Sequence, residues 1–203
     1  SKFRFGERNR KYSWTEALMK ELSIGTVCAV AVMAAMIGFS GPVQAQSAQA
    51  LPIPDAPVAK DIAGAHELPN PNTVYKIAFG IKNAAPKPDE INPGLISVAR
   101  YFNTLAVNGV PADHRKIVVV FHGAPIFLNN AAYKAINDGH DNPNIALIQS
   151  MKKAGIDFRV CGQELVGRKY PLETVLPEVQ VDLWAMTTII NLQTQGYIYM
   201  GGN

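Results

Sequence analysis

Cysteine is nearly missing from this chain. Its 203 residues hold only two, Cys28 and Cys161, beside four histidines. Two cysteines so far apart, with scattered histidines, lack the paired spacing of a structural zinc site, so no metal is expected. Also missing are a glycine-rich phosphate loop, a Gly-x-Ser-x-Gly elbow and a Cys-x-x-Cys pair. Their absence removes the commonest enzyme readings, and a flavodoxin-like site finds no phosphate-binding loop, so no cofactor is expected. An excess of positive charge is missing too, once its location is considered. The 19 Lys/Arg and 16 Asp/Glu give a net charge of +3, but residues 1–45 hold six of the basic and three of the acidic groups. The remainder carries 13 of each, which leaves no basic footprint for nucleic acid.

What is present begins with an apolar run, LSIGTVCAVAVMAAMIGF, from Leu22 to Phe39. Lys20 precedes it and Gly41-Pro42-Val43-Gln44-Ala45 follows. Compact side chains at Val43 and Ala45 after a helix-breaking Gly-Pro fit a signal peptidase site, so cleavage is expected after Ala45. Residues 1–45 then form a signal peptide, and the mature chain starts at Gln46, periplasmic or secreted, with no stable membrane insertion. Met19-Lys20 also reads as a natural start, which makes residues 1–18 an upstream extension or a long n-region. The alternative is a retained anchor, because a run of this length could just span a bilayer. Cys28 lies inside the signal, so the exported chain holds one thiol and no internal disulfide.

The mature part has the length of a single domain. Residues 46–72, rich in Ala, Pro and Asp, read as an extended leader across the domain surface. From Thr73 to Asn203, strand-like and helix-like segments alternate. Val74 to Ile81 reads as a strand, and Ile91 to Asn108 as a helix with Leu95, Val98, Ala99, Phe102, Leu105 and Ala106 at helical spacing. Ile117 to Phe121 is a continuous apolar run, as in a strand buried on both faces. Helical segments follow at 129–136 and 144–154, then a strand at 156–160, a short helix at 163–168, a strand at 179–181, a helix at 183–195 and a last strand at 197–200. Such alternation predicts an α/β fold, a mainly parallel five-stranded sheet with helices on both faces. Ligands of such sheets gather at the carboxyl ends of the strands.

Two strand ends carry reactive groups. One delivers His122-Gly123-Ala124-Pro125 and the other Cys161. If the strands are neighbours, both residues share one rim, where histidine can stabilise a thiolate or shuttle its proton. Cys161 precedes Gly162 at a strand-to-helix junction, where unpaired amides favour negative charge on sulfur. Two readings stay open: a reactive thiol, or a small hydrophobe packed beneath the sheet. Arg168 sits about two helical turns beyond Cys161, able to hold an anion there or simply to complement the helix end. Asn129, Asn130 and Tyr133 lie beyond the His122 loop, where a pocket would find them.

With Cys161 placed after a strand, the segment AGIDFRVCGQELVGR resembles the DsrE/DsrF-like family of small sulfur-relay proteins. VVVFHGAP and the ending INLQTQGYIYM are similar to the same family, in its YchN-like branch. The resemblance spans roughly Val74 to Met200. It implies a YchN-like domain that assembles as a homo- or hetero-oligomer. It also implies that Cys161 carries sulfur as a persulfide between a donor and an acceptor protein or small thiol, or serves thiol redox chemistry. His122 and Gly123 come over only as candidate pocket residues, and Gly162 and Arg168 are further pocket candidates beside Cys161. The competing function is a non-catalytic, oligomeric binding protein with a structural cysteine.

Overall fold

The computed structural model describes residues 50–201. The expected signal peptide and its cleavage site lie outside the described residues. Five strands and five α-helices position the site, with three short 3-10 helices among the loops between them. They are β1 (Tyr75–Ile81), α1 (Pro93–Val107), β2 (Arg115–Phe121), α2 (Asn130–Ile136), α3 (Ile145–Lys153), β3 (Asp157–Cys161), α4 (Gly162–Arg168), β4 (Val179–Asp182), α5 (Ala185–Thr194) and β5 (Ile198–Met200). All strand pairings are parallel, in the order β4-β3-β2-β1-β5. The α/β architecture expected from the alternating segments is therefore the observed one.

The chain steps outward from β1 to β4, then returns past β1 to place β5 on its other side. β2 lies centrally, and Ile117 to Phe121 are all buried. That explains the uninterrupted apolar run, since both faces of this strand are covered.

Side chains alternate between two unequal layers. The thicker layer gathers Ile77, Ile81, Val119, Phe121, Phe158 and Val160 against α1 and α3, through Leu95, Phe102, Ile148 and Met151. Phe121 and Phe158 stack there at 5.7 Å between ring centroids. The thinner layer holds Ala78, Val118, Val120 and Cys161, against Ala185 and Leu192 of α5. One helix covers this side, so the sheet remains partly open near its carboxyl ends.

The helix starts follow from their capping residues. Asn92 Oδ1 accepts the Gly94 and Leu95 amides at 2.9 and 3.3 Å, with Pro93 next in the chain. Such a cap satisfies amides that have no partner within the helix. Residues 50–72 contain no strand or helix, yet Ile53 is fully buried in the thicker layer. Asn103 of α1 fixes it there, accepting the Ile53 amide at 3.1 Å and donating to the Ile53 and Ala56 carbonyls at 2.9 and 3.1 Å.

Candidate thiol site

The register between β2 and β3 places the two reactive residues side by side. Phe121 pairs with Val160, so one further step along each strand sets His122 beside Cys161. Both belong to the thinner layer's side of the sheet. They line an open cavity of 420 Å³ with Glu164 and the α5 residues Ala185, Met186, Ile189 and Ile190, together with Trp184.

Alternation along β3 decides which helix meets the thiol. Phe158 and Val160 point into the thicker layer, whereas Cys161 belongs to the thinner one. Leu165 of α4 packs in the thicker layer, so the helix that follows Cys161 in sequence turns away from its side chain. Cys161 makes no side-chain capping bond to α4. Its Sγ instead accepts the Ala185 amide at 3.2 Å. The helix terminus at the sulfur is that of α5, 24 residues further along. An amide donor at the positive end of a helix stabilises negative charge on the atom it faces.

The position of α5 is set by the loop before it and by Asp182. The Asp182 carboxylate accepts from Thr188 Oγ1 of α5 at 2.7 Å and lies 3.4 Å from the Arg159 guanidinium. Asp157 holds the other side of Arg159 at 2.7 Å. This chain of polar contacts ties α5 to β3 and β4 below the cavity.

His122 reaches across to β1 and β5. Its amide donates to the Ile81 carbonyl at 3.0 Å, and its Nε2 lies 3.3 Å from the Tyr199 hydroxyl. With the imidazole proton on Nε2, the Tyr199 hydroxyl accepts it and Nδ1 is left as the free acceptor. Burial raises the Tyr199 titration above its ordinary value, which keeps the phenol neutral. Burial also pushes His122 below its ordinary value; Lys82 acts in the same direction and Glu164 opposes them. A neutral imidazole beside a thiol is a proton acceptor.

Gly123 has φ +137°, and a Cβ there would lie 2.5 Å from the Lys82 carbonyl. The turn after β2 can follow this path only with glycine. Gly162 opens α4 directly after Cys161 and is not part of the cavity wall. Arg168 is not in the wall either. It pairs with Glu164 and donates to the Gly123 carbonyl at 3.3 Å. Tyr133 is buried in the thicker layer, and Asn129 caps α2. The residues missed by reading the sequence are Ala185 and Tyr199. A backbone donor has no side-chain signature, and the reach of Tyr199 depends on β5 pairing beside β1.

Among the described residues, no group of three or more His, Cys, Asp or Glu could hold a metal ion. No helix among them is long and apolar enough to cross a membrane.

The DsrE/DsrF-like family model matches residues 72–200. The chain belongs to this family. Among solved structures it is similar to the protein of unknown function MTH1491 from Methanobacterium thermoautotrophicum, with 17% identity and a TM-score of 0.44. That match covers 63% of this chain and 99% of the other. No curated protein matches the sequence. This DsrE/DsrF-like domain thus has its lone described thiol at a strand end, beside a histidine and a helix terminus.

Proposed function

We propose that this protein is a sulfur carrier whose working group is Cys161. The observation that supports the reading most directly is the Cys161 Sγ, which accepts the Ala185 amide at 3.2 Å and borders the same cavity as His122. In the proposed reaction, His122 takes the thiol proton and the thiolate attacks the outer sulfur of a persulfide, R–S–SH. The donor S–S bond breaks, its electron pair leaves on R–S⁻, and Cys161 holds the persulfide. An acceptor thiolate then takes the outer sulfur and releases Cys161 as thiolate, with no net oxidation. The reading includes the expected export and oligomeric assembly of the mature chain. N-terminal sequencing of mature protein should then find Gln46.

Mass spectrometry after exposure to a small organic persulfide, R–S–SH, tests the carrier directly. The wild type should gain the mass of one sulfur atom, and Cys161→Ser should not; equal gain by both would overturn the proposal. A second reading, a binding protein with a packed cysteine, draws on the apolar rim of the cavity. Trp184 is 46% exposed, Met186 53% and Ile190 52%. It predicts that native Cys161 resists alkylation, and rapid labelling would count against it.

A further inference from the structure

The walls of the cavity differ from what an inorganic sulfur anion requires. Anions are held by unspent cations or by convergent donors. Glu164 is the only side chain in the wall, other than His122, that ordinarily carries charge. Arg168 is occupied by Glu164 and the Gly123 carbonyl. Lys82 influences His122 but is not part of the wall. Of the first-turn amides of α5, that of Ala185 is engaged by the Cys161 sulfur.

What the wall offers is apolar surface. Trp184, Met186, Ile189 and Ile190 line the cavity together with His122 and Glu164. Ile189 packs on the thinner core layer, while Met186 and Ile190 leave about half their surface exposed. A small molecule with an apolar substituent next to its reacting sulfur would cover these side chains, and removal of that surface from water favours its binding. An anion in the same place would lose hydration without gaining a counter-charge.

We infer that the site takes neutral organic sulfur compounds with an apolar group beside the sulfur, and that Glu164 together with the α5 wall disfavours anions such as thiosulfate. The inference rests on Cys161 as the reacting sulfur. Glu164 is a specificity determinant here and takes no part in bond making.

Methanethiosulfonates provide the test. The Cys161 thiolate attacks the sulfenyl sulfur, a Cys161–S–S–R bond forms, and methanesulfinate leaves with the electrons of the broken S–S bond. Rates are compared for the neutral benzyl reagent and the anionic sulfonatoethyl reagent, with Cys161→Ser as blank. The benzyl-to-anion rate ratio is then divided by the same ratio for free cysteine. The wild-type value should be about tenfold or more, in line with burial of an aromatic ring. Glu164→Gln, which also frees Arg168, should lower it by about threefold or more. Met186 is half exposed, so Met186→Lys adds a cation to the wall without burying it, and should lower the ratio by a similar factor. A wild-type value near one, with Cys161 modified by both reagents, overturns the inference but leaves the sulfur carrier intact. If neither reagent modifies Cys161, both readings fall. A high wild-type value that neither substitution lowers overturns the assignment of selectivity to Glu164 and the α5 wall.

Discussion

At Gly80 an added methyl group would collide with the Tyr199 hydroxyl and come within 2.9 Å of His122 Nε2. The missing side chain therefore creates the space in which histidine and tyrosine meet above the sheet. Gly80→Ala should cost about 1–3 kcal/mol by overpacking, read as a lower unfolding midpoint. It should also slow Cys161 alkylation by displacing His122. A drop in stability with no change in that rate would separate His122 from the thiol. His122 itself gives a pH prediction. Its titration in the fold lies below the ordinary value of 6.5, so folding favours the neutral ring. The stability it contributes is complete above that ordinary value and is lost as pH falls toward the lowered one. Thermal unfolding at about pH 7.5 and about pH 5 should show a larger acid loss in the wild type than in His122→Gln. Cys161 and His122 were legible in the sequence as residues at strand ends. Gly80 was not, because its role is defined by side chains 42 and 119 residues away in the chain.

The elements themselves followed closely from periodicity. The run IVVVF became the central strand β2, and the spacing of Leu95, Val98, Ala99 and Phe102 became the buried face of α1. The sequence pattern said less about which helix end meets the thiol. Cys161 directly precedes α4, but the two faces of β3 send Cys161 and Leu165 to opposite layers, so α5 supplies the amide. Proline at the first position of a helix removes an N–H that no intrahelical bond needs. Trp184 before it is already extended, at φ −158° and ψ 132°, as a residue before proline prefers. Ala185→Pro should therefore leave α5 folded and remove one donor from the sulfur. A charge-assisted bond of about 1.5–3 kcal/mol predicts a loss of about tenfold or more in alkylation rate at neutral pH. Circular dichroism checks the helix, and an unchanged rate with native helicity would show that this amide does not activate Cys161.

Across the whole domain, the unequal layers divide stability from chemistry. The thicker layer contains the stacked Phe121 and Phe158, the α1 and α3 faces and the buried Ile53. The thinner layer contains Cys161 under a single helix. A cavity can stay open on the second side because the first supplies most of the apolar burial. Ile53 was hidden in the sequence, being one apolar residue in a proline-rich stretch without periodicity. Its anchoring depends on the buried Asn103 side chain, which makes three hydrogen bonds to the leader backbone. Asn103→Ala would leave the Ile53 amide and two carbonyls seeking water, at a cost of about 1–3 kcal/mol for each group that stays buried. The variant should unfold at lower temperature or denaturant concentration. Well below that transition, Cys161 should be alkylated at the wild-type rate, because no residue of the thinner layer touches the leader through Asn103. Loss of stability with constant reactivity is the pattern that two separate layers require. A parallel change in both would mean that the sheet transmits the leader's anchoring to the thiol.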